Sequence, residues 1–326
     1  MATSGTIGNT VINSAKLLEK AIRRCGLSPQ ALTPEMVTTA QEDMFMFLMG
    51  MSNRGLNLWC IDQQLIPLVN SKKTYVLPVG TTDVLNLLFC TASRASYTLT
   101  IGATDATAAN SDSTFDVVRY GVKFSTLPTT SFLFETSNDG VVWTTVSTVT
   151  ALPTVNQYGW YNVDPKLTAK YFRVSSPTLG VVTDLLLASG VREINMTPFN
   201  RDDYAAQPNK DTSSGTVVNY WFEKLINPQI TLWPVPNDDT CHMNLFRYRQ
   251  IQDIGTLTQE IEIPLRWYES ITWQLAARLA FEIPGVEPTR RAEVIQMANS
   301  MTVEVEGGET DSSPTYFAPN IRCYTR

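Results

Sequence analysis

The sequence has a single histidine, His242, and five cysteines, at positions 25, 60, 90, 241 and 323, with no CxxC pair. One histidine excludes multi-histidine metal sites and leaves one candidate for a Ser-His or Cys-His machine. His242 sits beside Cys241 in a strand-like run with no motif around it, which reads as a structural or surface position. An odd cysteine count without a pairing pattern reads as buried thiols in a reducing compartment. There is no Walker loop and no GxGxxG turn to cradle phosphates. Basic excess is missing too: net charge is −6, and no block of five or more lysines and arginines occurs. Stable grip on DNA phosphates is therefore not expected, although DNA could slide past such a surface. The longest apolar run, Met44 to Met51, includes Gly50 and is too short to span a bilayer. The opening Met1-Ala-Thr-Ser-Gly5 shows no basic or apolar leader region, so a soluble protein made in the cytoplasm is expected.

Paired carboxylates are few. Glu260 and Glu262 alternate with Ile261 and Ile263, which puts both on the outer face of a short strand. Such a pair could do acid–base work on glycans, but it lies next to a turn with no evident pocket. Asp202-Asp203 and Asp238-Asp239 are loop carboxylates. Asn195-Met196-Thr197 fits the glycosylation sequon, which carries no meaning without secretion. No catalytic residue, metal ligand or cofactor is assigned, so a binding or structural protein is expected rather than an enzyme.

What the sequence does have is helical periodicity at its two ends. Val11, Ala15, Leu18, Ile22 and Cys25 share a helix face, and Gly26 sits at the expected left-handed cap. Thr33-Pro34-Glu35 announces a second helix, with Val37, Ala40, Met44, Phe47 and Met51 on one face. Half of the ten methionines fall here, and Met46 and Met49 lie off the main stripe. A helix apolar on two sides wants neighbours on two sides, either in one crowded core or on a partner subunit. Near the other end, Tyr268, Ile271, Leu275 and Leu279 line a helix starting at Pro264. Val294, Ala298, Met301 and Val305 line another, opened by Pro288 and closed by Gly307-Gly308. The stretch 309–326 reads as an extended arm anchored by Tyr316, Phe317, Ile321 and Tyr324.

Between these ends lie β-branched and aromatic runs. Leu65–Val69 and Thr74–Leu77 flank a polar turn, and Pro67 makes the first an edge strand or a short one. From Thr91 to Thr183 short runs alternate with turn residues: Tyr97–Ile101, Phe115–Phe124, Phe132–Thr136, Val141–Val149, Tyr158–Val163 and Tyr171–Val174. Strands at that spacing indicate a sandwich or barrel. Asn138-Asp139-Gly140 reads as a tight hairpin between two of them. Gln229–Trp233 and Met243–Ile251 are further strands.

Two separated segments resemble the head-to-tail adaptor of short-tailed bacteriophages. The first is the N-terminal helix pair with "NRGLNLWCIDQQLIPLVNSKKTYVLPVGTTDVLNL"; the second runs from Val191 to Pro236. The second carries Arg201-Asp-Asp-Tyr204, Pro208-Asn209-Lys210, Asn219-Tyr-Trp-Phe222 and Leu232-Trp-Pro-Val-Pro236 in the family's order. The middle departs from that pattern and resembles a galactose-binding-like, or discoidin-type, β-sandwich through Ser137-Asn-Asp-Gly140, Trp143 and Ala169-Lys-Tyr-Phe-Arg-Val174. Trp143 and Phe172 would fill its core, and Arg173 would point away from it.

The fold class expected is therefore α+β and multidomain. A helical adaptor domain with a small β region (1–90 and 184–308) is interrupted by an inserted antiparallel, jelly-roll-like β-sandwich (91–183), and an arm (309–326) follows. The resemblance implies a ring of identical subunits, twelve in number, at the head–tail junction of the virion. The ring would dock on the portal protein, extend the DNA channel, help retain packaged DNA and receive the tail nozzle, tube or fibre proteins, with no membrane partner. Tyr316, Phe317, Ile321 and Tyr324 are the candidate portal contacts. The alternative is a carbohydrate-binding virion or surface protein acting through the sandwich, with Tyr158, Trp160 and Tyr161 as candidate sugar-stacking rings. A cell-wall hydrolase is a third class, opposed by the lack of a convincing acid–base pair.

Overall fold

The computed structural model describes residues 13–31, 33–51, 58–110, 112–176, 180–251 and 258–308. The chain divides into two compact units, residues 1–60 with 250–326 and residues 61–249.

The first unit is helical. It contains α1 (Ser14–Arg24) and α2 (Pro34–Met51) from the N-terminal side. Asn13 caps α1 by accepting from the Lys16 amide at 3.0 Å, and Gly26 takes φ +83° beyond its end. Thr33 Oγ1 accepts from the Met36 amide at 3.4 Å at the mouth of α2. A five-residue helix, α3 (Arg201–Ala205), belongs to the other unit. Two more helices, α4 (Tyr268–Glu282) and α5 (Pro288–Gly308), complete the first. Leu17, Leu18, Ala21 and Ile22 of α1, Ala40, Met44 and Phe47 of α2, and Ile271, Leu275 and Leu279 of α4 form one core with Trp267. Of the expected α5 stripe only Val294 and Ala298 are buried; Met301 and Val305 are half-buried. Glu260 makes a single bridge to Asn13, where a short strand was expected, while Ile261 and Ile263 point into the core. Among the described residues no helix is long and apolar enough to cross a membrane.

The second unit is built from strands: β1 (Ile61–Pro67), β2 (Thr74–Val76), β3 (Thr81–Arg94), β4 (Thr98–Ile101), β5 (Asp105–Ala109), β6 (Phe115–Thr126), β7 (Phe132–Ser137), β8 (Thr144–Val149), β9 (Tyr158–Ala169), β10 (Tyr171–Ser175), β11 (Val181–Asn195), β12 (Thr197–Phe199), β13 (Ser213–Ser214), β14 (Asn219–Glu223), β15 (Gln229–Trp233), β16 (Val235–Pro236) and β17 (His242–Arg249). A six-stranded sheet, ordered β1-β17-β3-β11-β6-β9, forms the spine. Pro67 lies in its edge strand β1, where a missing N–H costs least. The sheet curls so that its edge strands β1 and β9 approach each other.

The spine shares two cores with other sheets. Its β6 and β11 part packs on the five-stranded sheet β4-β5-β10-β7-β8, closing a sandwich around Tyr120, Val122, Phe124, Phe132, Phe134, Phe172 and Leu185. Its β17 and β3 part packs on the four-stranded sheet β12-β14-β15-β2 around Leu87, Phe89, Ile230, Leu232, Met243 and Leu245. The expected insert boundaries at Thr91 and Thr183 fall inside β3 and β11, which are 14 and 15 residues long. These two long strands pair with each other. The sandwich is thus one end of a continuous sheet, because strands this long carry the hydrogen-bond ladder straight through the point where composition changes.

The hairpin also differs in detail from its expected form. The link between β7 and β8 spans 138–143, longer than the expected Asn138–Gly140 turn. Asp139 organises it, accepting from the Val141 and Val142 amides at 2.9 Å each, with Gly140 at φ +74°. Trp143 is half-exposed and lies under Arg173, whose guanidinium is 4.1 Å from the ring centroid. It was expected in the core; the longer loop swings it outside. Phe172 is fully buried, and Arg173 faces away to pair with Glu135 at 2.8 Å.

Candidate functional site

The four motifs in the second of the two segments resembling the adaptor meet at one surface of the second unit. Asn200 and Asp203 form a reciprocal capping box at the start of α3. That fixes Arg201–Ala205 so that Tyr204 stacks on Trp221, ring centroids 5.2 Å apart and planes 29° apart. Lys210 Nζ lies 5.7 Å from the Tyr204 centroid and donates to the carbonyls of Ala205 and Gln207 at 3.1 and 3.3 Å. Trp233 Nε1 donates to the Asn209 carbonyl at 3.0 Å, and Phe199 packs beside Trp233 at 6.1 Å. Lys73 pairs with Asp211 at 2.8 Å on the rim.

Phe199, Tyr204, Trp221 and Trp233 are all partly exposed. A patch of half-buried rings with satisfied polar edges is suited to binding, since each ring offers a large apolar area that is already ordered. It holds no nucleophile with an adjacent base. Among the described residues no group of three or more His, Cys, Asp and Glu could hold a metal ion.

Three of the loop carboxylates singled out in the sequence are occupied by local structure. Asp203 closes the capping box, Asp238 accepts from Thr240, and Asp239 accepts from the Asn70 amide at 2.6 Å. The three candidate stacking rings lie in the wall of the spine sheet. Tyr158 and Trp160 are only 6% and 5% exposed, and their ring faces are covered by neighbours including Leu186 and Ala188. Tyr158 donates its hydroxyl to Asp184. Tyr161 packs on Tyr120 and Phe132 of the sandwich core and donates to the Ala151 carbonyl at 2.9 Å. Sugar stacking needs a free ring face, and these three face protein because β9 alternates between two packed sides. Tyr316, Phe317, Ile321 and Tyr324 lie outside the described residues.

His242 is completely buried in β17. Its Nε2 is 2.7 Å from Arg119 Nη1, and Trp160 stacks on its ring at 4.2 Å. Arg119 also donates to Asn162 at 2.8 Å and to Glu193 at 3.2 Å, and Gln63 donates to Asn244 at 3.0 Å. Burial, and secondarily Arg119, push the imidazole down to about 3. The ring is therefore neutral at ordinary pH and accepts from the guanidinium, which assigns its proton to Nδ1. This network joins β6, β9, β11 and β17. Sequence reading missed it because no two of its members share a motif; the only local signal was polar residues at alternate positions of apolar strands. Cys25, Cys60, Cys90 and Cys241 are buried, and none forms a disulfide.

No protein-family model matches the chain, and comparison with curated proteins finds no match. Solved structures similar to part of it are carbohydrate-binding modules. CpGH89CBM32-6 produced by Clostridium perfringens matches with TM-score 0.24 and 11% identity, over 40% of this chain and 94% of that one. The family 32 module of C. perfringens NanJ in complex with galactose matches with TM-score 0.22 and 10% identity, over 41% and 94%. Chitosan-binding module 2 of a chitosanase/glucanase from Paenibacillus sp. IK-5, in complex with chitotriose, matches with TM-score 0.21 and 21% identity, over 30% and 74%.

Proposed function

We propose that the chain is a structural virion protein, the head-to-tail adaptor of a short-tailed phage. Twelve copies would form a ring on the capsid portal, extend the DNA channel, help retain packaged DNA and receive the tail nozzle. The observation that supports this reading is the convergence of Arg201–Tyr204, Pro208–Lys210, Asn219–Phe222 and Leu232–Pro236 on one half-exposed aromatic surface. Net acidity suits a channel that DNA must pass without sticking. The test is co-sedimentation of the purified protein with portal rings, or ring formation by the protein itself. Ending the chain after Gly308 should weaken attachment and leave the melting transition in place. A strictly monomeric protein that ignores the portal would remove the adaptor reading.

The second reading is a carbohydrate-binding surface protein acting through the sandwich, and it is the one to which the carbohydrate-binding neighbours belong. Its ligand would have to sit in the end loops, because Tyr158 and Trp160 are buried. Binding of the full chain on a glycan array would favour it.

A further inference from the structure

The helix α2 has a second face that the described residues of its unit leave partly exposed. Thr38, Gln41, Glu42, Phe45 and Met46 line one shallow surface groove. They lie across the helix from Ala40, Met44, Leu48 and Met51, which are buried. Met46 is 56% exposed and Phe45 is half-exposed. A helix face turned to water normally carries charges of both signs; this one carries rings and thioethers beside one sign only. Glu35, Glu42 and Asp43 are the only charged residues between 34 and 51. Glu282 of α4 adds a further negative charge next to Asp43, opposed by Arg278 alone. One Asp43 carboxylate oxygen is buried with no hydrogen-bond partner among the described residues.

The covering chemistry must therefore be apolar anchors interleaved with positive charge. The chain itself contains such a segment. From Ser312 to Arg326 it has Tyr316, Phe317, Ile321 and Tyr324 with Arg322 and Arg326, and no acid follows Asp311. Stretched at ~3.3 Å per residue, positions 309–326 reach roughly 60 Å, enough to cross a unit of this size. We propose that in the unassembled chain the Thr38–Met46 face of α2 holds residues 312–326 of this chain. The proposal stands whether or not the adaptor reading does.

Cys323 lies inside the segment, so disulfide trapping in the full-length chain tests it. Thr38→Cys and Gln41→Cys are introduced singly, with Val303→Cys as the comparison. Val303 is 71% exposed and sits close to the segment's root in sequence, so a segment with no preferred seat would meet it at least as often. Under mild oxidation the two α2 variants should crosslink severalfold faster than Val303→Cys. Cys323→Ser should abolish the product, Glu42→Lys should slow it, and Arg322→Glu added to Glu42→Lys should restore it. A monomer-sized product places the segment in its own copy and supports the proposal; a dimer-sized one places it in a neighbour and overturns it. Crosslinking at α2 no faster than at Val303→Cys, or indifferent to Glu42→Lys, overturns it. Portal co-sedimentation is untouched by either result, so the two proposals fail separately.

Discussion

At His242, burial and a neighbouring guanidinium act in the same direction, and both disfavour the imidazolium. The pKa falls from 6.5 to about 3. An unfolded chain takes up this proton as pH drops through 6.5, and the folded chain does not until about 3. The folded state therefore loses stability as pH falls across that window, by about 1.4 kcal/mol per unit. By pH 4 the loss from this one residue is roughly 3 kcal/mol. His242 is the only histidine, so its ring C–H signals are unambiguous by NMR. They should not titrate between pH 8 and 4.5, and the melting temperature of His242→Gln should depend less on pH than that of the parent. A titration midpoint near 6.5 would contradict the buried network. The sequence identified His242 as structural or surface by the lack of a motif. Its partner Arg119, and the Asn162 and Glu193 that hold Arg119, could not be read, because they come from three other strands.

Within single elements, the link between β7 and β8 shows how turn chemistry and strand length compete. Gly140 takes φ +74°, a region where a Cβ crowds the backbone. Gly140→Ala should cost about 1 kcal/mol, read as a lower melting temperature, whereas Gly190→Ala should cost nothing comparable. An added Cβ at Gly190 meets no atom within 4 Å. Asp139 is held below the usual carboxylate range by the Val141 and Val142 amides and the Ser137 hydroxyl. The turn and its glycine were legible in the sequence. The extra residues before β8 were not, because their register depends on Asp139 bonding two amides in place of a cross-strand ladder. No strand was assigned from the sequence at β3 or β11. Polar residues such as Arg192 and Glu193 interrupt the apolar pattern, and pairing with β3 carries β11 through them.

On the scale of the whole molecule, each hydrophobic core lies within one of the two units. Among the described residues the helical core draws on residues 17–60 and 251–305, and the three others draw on residues inside 61–249. Expressed alone, residues 61–249 should fold and melt in a cooperative transition with a β-type circular dichroism spectrum. A fragment without a transition would show that the division is not one of stability. The sequence by itself determined the terminal helices, their caps and most strands of the sandwich. All of these depend on local periodicity or turn residues. Tertiary structure decided the rest. It ran one sheet through the expected insert boundaries, buried Tyr158 and Trp160, moved Trp143 out of the core and set the four motifs of residues 201–236 on one aromatic surface. A residue's type and spacing state what it can pack against. Which side of a curled sheet it faces, and what waits there, depends on strands more than a hundred residues away.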